Sequence, residues 1–473
     1  MKVAVLHYHF DRGGVTRVVS STLQGFNDYP GCSFGLLSGR PVHEIDAPTS
    51  VIPGLDYSTG SSTAPDPDSL YREVIREART LFGGEDPDVW HIHNPALGKN
   101  TAFTGLVARL ARDGRALLLH EHDFAEDFRP ANYTLRESHR APGDPAFPYS
   151  ARVRYAVLNE RDARLLAQAG LPDEFLVRLP NPVPPTPLLP PVDPNSALIL
   201  YPVRALARKN LGEFLLLAQA MDADLRWQST LPPTNPAYQP RFEDWKKLAA
   251  ELSLPVELGA AASGHETFEE RMAAARAVVT TSVAEGFGLS FLEPWTHGRP
   301  VFGRDLPEVT EEFRSQGISL QSFYREFPIP AEAVDLPTVA ESWCNGLESA
   351  YQAFGIDAPA EAIRSRADSI RRSPTVDFSS LSEPLQMDAL RTISEKGIPT
   401  RPPVQLPDPD SDRIARMRAL ILESYSLPHY VDRLANVYTA LANSESEPLS
   451  SLAPRDILGQ FLHPARFHPH FGG

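Results

Sequence analysis

Two glutamates stand eight residues apart in the stretch AEGFGLSFLEPWTHGRP, which runs from Ala284 to Pro300. Glu285 precedes a glycine turn, and Glu293 lies in the segment that follows the turn. Carboxylates can hydrogen-bond the hydroxyls of a sugar and a ribose, while the amides of a turn that opens a helix can bind a diphosphate. The pattern also fits an ordinary strand, turn and helix with two surface glutamates, so its surroundings decide its meaning.

The neighbouring residues predict how these two carboxylates are positioned. The apolar run from Ala277 to Ser282 predicts a buried strand, and Gly286-Phe287-Gly288 predicts a tight turn. The amphipathic helix that should follow carries its apolar side at Leu289, Leu292 and Trp295. One carboxylate should therefore lie in the mouth of the turn, and the other about two helical turns further along.

Composition excludes several classes of protein. The chain has 473 residues, enough for two or three domains, and 42% hydrophobic with 22% charged residues is ordinary for a globular protein. Its net charge of −15 argues against a nucleic-acid partner and against strong docking on anionic membranes. The apolar runs are too short to span a membrane. We therefore expect a protein with no transmembrane segment that acts on a soluble acceptor.

The use of cysteine and the N-terminal residues both favour a cytoplasmic location. Cys32 and Cys344 are far apart in the chain and define neither a disulfide framework nor a metal-binding spacing. The N-terminus MKVAVLHYHF predicts a first strand and lacks the features of a secretory signal.

A proline-rich segment, Leu179–Pro194, marks the best domain boundary. Strands and helices alternate on both sides of it, which predicts two parallel, doubly wound α/β domains with ligands in the cleft between them. We place the domains at residues 1–190 and 191–425, with a crossover helix and tail at 426–473. The predicted strands are Val3–His7, Val89–His93, Ala116–His120, Arg154–Leu158, Leu198–Val203, Asp224–Gln228, Val256–Leu258, Val278–Thr281 and Pro300–Phe302; the predicted helices before the boundary are Val15–Leu23, Leu70–Phe82, Thr101–Arg112 and Glu160–Ala169.

The stretch EGFGLSFLE resembles the E-x7-E signature of the retaining, family 4 glycosyltransferases of the GT-B fold. The resemblance implies two Rossmann-like domains that face a cleft, with a last helix that crosses back onto the first domain. It implies that Glu285 contacts the transferred sugar and that Glu293 holds the ribose of the nucleotide. Pro294 stands where the family more commonly has alanine, and we expect it to cost little this early in a helix.

The segment YPVRALARKNLGEFL is similar to the family pattern of an arginine at a strand end with a lysine five residues later. The resemblance assigns Arg204 and Lys209 to the donor diphosphate, together with the turn Gly286-Phe287-Gly288. Asn210 replaces a usual glycine, and with Glu213 it suggests a helix N-cap. The alternative is that both cations are solvated surface charges.

The first domain carries the remaining motifs. Gly13 and Gly14, in a strand-to-helix turn, are similar to the family's glycine loop near the donor phosphates, although a purely structural turn fits as well. His122-Asp123 resembles the family's T-x-H-D strand end, with His120 in place of threonine. This implies His122 near the transferred sugar, with His120 as second choice. His120, Asp123 and Arg129 would shape the acceptor side, unless these residues form a packed histidine pair and a solvated loop.

Two further segments receive weaker expectations. GRDLPEV, Gly303–Val309, is similar to a family loop ending in Pro-Glu, and Glu308 should help to fix the domain interface. The tail ends in FLHPARFHPHFGG, in which His463, His468 and His470 could bind metal; we expect a partly ordered tail instead.

Together the motifs predict a retaining transferase that moves a hexose, UDP-glucose being the commonest donor, onto a hydroxyl acceptor. By the resemblance the leaving phosphate helps to deprotonate that acceptor. The chain lacks an Asp-x-Asp metal signature, so we expect no metal or other cofactor. The alternatives are a glycoside phosphorylase on the same scaffold and a non-catalytic nucleotide-sugar-binding subunit.

Overall fold

The computed structural model describes residues 1–27, 29, 31–58, 65–193, 195–262 and 266–471. Pro194, the end of the proline-rich segment, and the two final glycines of the tail lie outside this part of the chain. The chain forms two compact units. The first contains Met1–Pro184 and Tyr425–His463, and the second contains Pro185–Ser424 and Pro464–Gly473.

The first unit is built on a parallel sheet of seven strands in the order β3-β2-β1-β4-β5-β7-β8. Its strands are β1 (Lys2–His7), β2 (Ser33–Ser38), β3 (Thr49–Val51), β4 (Val89–His93), β5 (Leu117–Glu121), β6 (Phe147–Tyr149), β7 (Val153–Val157) and β8 (Leu176–Arg178). Its helices are α1 (Gly14–Phe26), α2 (Pro67–Leu81), α3 (Phe103–Arg112), α4 (Pro130–His139) and α5 (Glu160–Gln168). Strands β4 and β5 are completely buried, as expected for a parallel sheet covered on both faces.

The second unit is built on a parallel sheet of six strands in the order β11-β10-β9-β12-β13-β14. Its strands are β9 (Leu198–Arg204), β10 (Arg226–Leu231), β11 (Val256–Glu257), β12 (Ala277–Thr280), β13 (Val301–Arg304), β14 (Phe323–Tyr324) and the antiparallel pair β15 (Pro328–Pro330) and β16 (Thr375–Asp377). Its helices are α6 (Leu211–Ala220), α7 (Gln239–Glu251), α8 (Phe268–Ala274), α9 (Leu289–Thr296), α10 (Pro307–Ser315), α11 (Leu336–Ala353), α12 (Ala360–Arg372), α13 (Glu383–Lys396) and α14 (Ser411–Ser424).

The chain then returns to the first unit as α15 (Leu427–Asn443), β17 (Ser450–Leu452) and α16 (Pro454–Phe461). Helix α15 packs its buried face, including Leu434 and Tyr438, into the core formed by Val3, Val5 and Leu118 of β1 and β5. Strand β17 pairs with β6, and α16 inserts Ile457 and Phe461 into the core on the other side of the sheet. The crossover that the resemblance implied is therefore present.

The alternation of strands and helices is confirmed, and the predicted doubly wound fold with it. Two details differ. Strand β10 begins at Arg226, two residues later than expected, and β13 continues to Arg304, so Gly303 lies in a strand and not in a loop. Gly303 has a φ of 133°, and a Cβ there would lie 2.0 Å from the carbonyl oxygen of Thr280. Glycine thus lets β13 approach β12 closely.

No helix in the described part of the chain is both long and apolar enough to cross a membrane.

The end of the tail, Pro464–Phe471, packs against the second unit, so the expectation of a partly ordered tail is wrong for these residues. His470 is only 3% exposed, and its Nε2 lies 3.0 Å from the carbonyl oxygen of Leu381. The ring of Phe467 packs edge-on against Trp343. His468 Nε2 lies 3.3 Å from the hydroxyl of Ser379. These contacts give the two histidines a packing role.

Lowering the pH below about 6.5 should destabilise the second unit through His470. Burial lowers the pKa of His470 to about 4, and the nearby charge of Arg304 acts in the same direction. Burial and His470 also lower the pKa of His468, which faces it. Well above pH 6.5, His470 is neutral in both the folded and the unfolded chain. Below pH 6.5 the unfolded chain binds a proton at this residue and the folded chain does not.

Between pH 6.5 and 5 the loss from His470 should reach about 2 kcal/mol. Urea unfolding of the wild type and of His470→Asn at pH 7 and pH 5 measures it, because the variant lacks this titration. The same pH dependence in both proteins would contradict the prediction.

Candidate functional site

The second sheet changes direction at β9, which has β10 on one side and β12 on the other. Ligands of doubly wound sheets bind at such a switch point, beyond the carboxyl ends of the two central strands. Two loops leave this edge. One follows β9 and contains the short helical turn Ala207–Lys209; the other follows β12 and leads through Glu285 to α9. These loops carry most of the residues that the sequence proposed.

The two loops meet through Lys209 and Glu285. The Lys209 Nζ donates a short hydrogen bond to Glu285 Oε1, and Arg208 Nη1 lies 3.6 Å from Glu285 Oε2. The side chains of Lys209 and Glu285 are only 12% and 11% exposed. Burial alone would raise the pKa of Glu285, but the charges of Lys209 and Arg208 outweigh it and hold that pKa below its usual range. The site therefore contains an ionised carboxylate between two cations.

Backbone contacts fix the lysine loop against the sheet. The carbonyl oxygen of Lys209 accepts hydrogen bonds from Tyr201 Oη at 2.8 Å and from Thr281 Oγ1 at 3.0 Å. The carbonyl oxygen of Arg208 accepts from the amide of Val283 at 2.9 Å. The loops that carry Lys209 and Glu285 are thus held together independently of the ion pair, which preorganises the charged groups.

The backbone conformation of Asn210 explains why asparagine can stand where the family usually has glycine. Its φ of 50° lies in the left-handed region, which glycine favours and asparagine tolerates. Asn210 is the N-cap residue of α6, as expected, but its side chain makes no cap hydrogen bond. Instead its Nδ2 lies 3.1 Å from Glu213 Oε2, and its Oδ1 accepts a hydrogen bond from Gln386. The side chain therefore links the lysine loop to α13.

A buried ionic network lies behind this loop, and the sequence did not reveal it. Arg304 donates from Nε and Nη2 to the two carboxylate oxygens of Glu213, at 2.8 and 2.6 Å. It also donates to Asp377 Oδ1 at 2.8 Å, and Tyr324 Oη donates to Glu213 at 2.8 Å. The side chains of Glu213 and Arg304 are 0% and 5% exposed. Glu213 is therefore an internal anchor of α6.

The glycine turn has the predicted form. Gly288 is the N-terminal flanking residue of α9, with a φ of 93°, and a Cβ there would lie 2.9 Å from Val309 Cγ1. Phe287 is buried against Phe313. Glu293 lies half-buried on α9, and Pro294 follows it as the sixth of eight helical residues. The proline thus sits later in the helix than expected, yet the helix continues to Thr296.

Arg204 and Glu308 complete the predicted residues of this unit. Arg204 ends β9 and is half-buried, and within the described part of the chain its side chain forms no ion pair. Glu308 lies in the first turn of α10 and pairs with Arg466 of the tail at 3.3 Å. Its expected role at a domain interface stays a prediction, since this contact lies within the second unit.

In the first unit, His122 directly follows β5 and is 8% exposed. Asn94 holds it in place: its Oδ1 accepts hydrogen bonds from the amides of His122 at 2.7 Å and of Asp123 at 3.1 Å. Asn94 itself has a φ of 53°. Sequence reasoning missed it, although it directly follows the predicted strand Val89–His93. The ring of His120 stacks on His122, with 4.2 Å between centroids.

The acceptor-side candidates Asp123 and Arg129 form an ion pair at 2.5 Å, and both side chains are partly exposed. Arg129 also donates to the carbonyl oxygen of Phe124 at 2.9 Å. Gly13 and Gly14 lie where the chain enters α1, as predicted, but the helix begins at Gly14 rather than Val15. Both are exposed, and a Cβ on Gly14 would meet no atom within 4 Å. These two glycines therefore leave open space at the start of α1, and neither has the left-handed backbone conformation that would require glycine.

Known proteins resemble most of the chain. A mannosylglucosyl-3-phosphoglycerate synthase of Petrotoga mobilis is 26% identical over 375 residues, which cover 72% of this chain and 71% of that protein. Among solved structures, Anabaena HepE with UDP and glucose gives a TM-score of 0.55 at 13% identity, with 93% of this chain and 100% of that chain covered. A Rickettsia africae glycosyltransferase also gives 0.55, at 12% identity, covering 94% and 99%. The chain has the GT-B fold. No protein-family model matches it.

Within this fold Lys209 and Glu285 lie in contact, although the sequence assigned them to different parts of the donor. The structure adds Arg208, which adjoins Lys209 in the same motif and could have been noticed there. His122 and His120 come together in the other unit.

Proposed function

We propose that the protein transfers a hexose from a nucleotide-diphosphate sugar to a hydroxyl acceptor with retention of anomeric configuration. The observation that carries the proposal is the cluster of Lys209, Arg208 and Glu285 at the switch point of the second sheet. Two cations and a buried carboxylate suit a ligand with an anionic diphosphate and a neutral, hydroxyl-rich sugar. The GT-B fold supports the same assignment.

On this proposal the residues of the second unit bind the donor. Lys209 and Arg204 contact the diphosphate, and the turn Gly286-Phe287-Gly288 approaches it with the backbone. Glu285, kept ionised by its neighbours, accepts hydrogen bonds from hydroxyls of the transferred sugar. Glu293 accepts from the ribose. The diphosphate competes with Glu285 for Lys209, so donor binding loosens the ion pair and frees the carboxylate for the sugar.

The first unit contributes the acceptor-side groups. His122 meets the transferred sugar through its carbonyl or ring, and His120, Asp123 and Arg129 shape the acceptor pocket. Gly13 and Gly14 leave room for a bound ligand above α1. During transfer the bond from the anomeric carbon to the phosphate oxygen breaks and a bond to the acceptor oxygen forms. The acceptor proton passes to the leaving phosphate, on the face of the sugar that the phosphate leaves.

The developing charge on the diphosphate is neutralised by side chains and backbone, so we propose that this step needs no metal ion. We also propose a cytoplasmic location, in keeping with the two free cysteines, Cys32 and Cys344. The name of the Petrotoga relative describes a product in which sugars are joined to 3-phosphoglycerate. A small, soluble, phosphorylated glycoside is therefore the first acceptor to test, and GDP-mannose joins UDP-glucose as a first donor.

Isothermal titration calorimetry with UDP, GDP and ADP tests the proposal. We expect one of the three to bind, and Lys209→Met to weaken it by about tenfold or more because the phosphate loses a charge-assisted hydrogen bond. Exposed Lys247→Met in α7 is the matched control, with unchanged affinity. The base of the nucleotide that binds then determines which sugar donors are screened for hydrolysis and transfer.

If none of the three nucleotides binds, the proposal of a transferase is rejected. Phosphate-dependent cleavage of glycosides in that case would identify a glycoside phosphorylase. Nucleotide-sugar binding without hydrolysis or transfer would identify a non-catalytic subunit.

A further inference from the structure

Five histidines lie on one face of the first sheet, at the carboxyl ends of three adjacent strands. In β1, β4 and β5 every second residue faces the same side of the sheet. The pairings Val5↔His91 and His93↔His120 put these histidines in neighbouring rows, and all five are buried. They are His7, His91, His93, His120 and His122. Only His120 and His122 have a part in the proposed transfer.

Three of them, His91, His93 and His120, offer ligand nitrogens that all lie within 4.8 Å of one another. Each of these side chains is at most 1% exposed. Nitrogens bound to one tetrahedral zinc ion at 2.0–2.1 Å lie about 3.4 Å apart. Ring movements of about 1 Å would therefore bring the three imidazoles into a zinc coordination sphere.

Two nitrogens in this group lack a partner. His93 Nε2 and His120 Nε2 are buried and form no hydrogen bond in the described part of the chain. A buried polar atom without a partner is costly, and binding an ion would give such a nitrogen a partner. His93 Nδ1 lies 2.9 Å from His122 Nε2, and His91 Nδ1 lies 2.7 Å from Tyr438 Oη. His91 Nε2 lies 3.1 Å from His120 Nδ1, and this contact would give way when His91 Nε2 binds the ion. A neighbouring side chain thus holds the second ring nitrogen of His93 and of His91. Metal-bound histidines are usually oriented in this way.

We propose that His91, His93 and His120 form a binding site for one zinc ion, with a water or hydroxide as fourth ligand. Imidazole nitrogens select zinc and the later first-row transition metals over magnesium and calcium, which take oxygen ligands. The ion would join β4 to β5 beneath α15, whose Tyr438 Oη lies 2.7 Å from His91 Nδ1. It has no part in neutralising the donor diphosphate and stabilises the first unit.

Metal analysis of the full-length protein, produced with added zinc and purified without a histidine tag, tests the site. We expect about one zinc per chain by mass spectrometry. His93→Asn and His120→Asn should each lower the content at least fivefold. His7→Asn, a buried histidine on the same face but outside the trio, should retain it, as should the tail double variant His468→Asn/His470→Asn.

Zinc below about a tenth of an equivalent, both as purified and after refolding with zinc, would overturn the site. Retention of zinc in both trio variants, or its loss only in the tail variant, would do the same. Should the trio variants fail to fold, X-ray absorption of the wild type decides, since we expect about three imidazole nitrogens at 2.0–2.1 Å. A first shell of oxygen alone would reject the proposal. These readouts do not depend on transferase activity.

Discussion

Glu285→Gln should lower the rate of sugar transfer by about 10²–10³-fold, the usual effect of removing one electrostatic contact to the reacting group. The substitution preserves the size of the side chain and removes its charge. Glu285 is held ionised, in contact with Lys209 and Arg208, so the variant loses the negative charge that we place against the transferred sugar. Initial rates with the donor identified by calorimetry measure the effect, and circular dichroism checks the fold.

Two comparisons sharpen this result. Glu269→Gln changes an exposed glutamate in the first turn of α8 and should leave the rate unchanged. Glu293→Gln should mainly raise the KM for the donor. The ribose lies away from the bond that breaks, so its contact stabilises the bound donor and the transition state equally. Transfer by Glu285→Gln within threefold of the wild type would show that this carboxylate has no role in the chemical step.

Arg304→Met should reduce the free energy of unfolding by about 3–5 kcal/mol, the cost of leaving a buried charge without its partner. The methionine fills much of the arginine's volume but donates no hydrogen bonds. Glu213, which is fully buried, would lose two of them, and Asp377 would lose another. Urea denaturation followed by tryptophan fluorescence gives the stability difference.

The matched control is Arg325→Met, because Arg325 is 74% exposed and lies 3.7 Å from Asp305. Asp305 keeps its ion pair with Arg314 at 2.8 Å, and an exposed arginine contributes at most about 1 kcal/mol, so this variant should be near neutral. The double variant Glu213→Gln/Arg304→Met should be more stable than Arg304→Met alone, since it removes the unpaired charge. Equal losses for Arg304→Met and Arg325→Met would contradict the structural role of the network.

Local sequence patterns predicted the elements well. Val89–His93 was predicted as a strand from a short apolar run and is strand β4, and Glu160–Ala169 was predicted as a helix and is α5, one residue shorter. These predictions succeed because strand and helix periodicity, with glycine and proline as breaks, act over a few residues. Strands β2 and β3 were missed. Strand β2 reads SFGLLS, in which two serines and a glycine interrupt the apolar residues, and β3 has only three residues.

By itself the sequence determined the doubly wound fold and the loops that hold the candidate donor residues. The tertiary structure decided which of those residues touch. Lys209 and Glu285 are 76 residues apart and meet because β9 and β12 are neighbours in the sheet. The link from Arg304 to Glu213 and the row of histidines depend on strand order in the same way. Such pairings arise from long-range packing, which short-range periodicity does not encode.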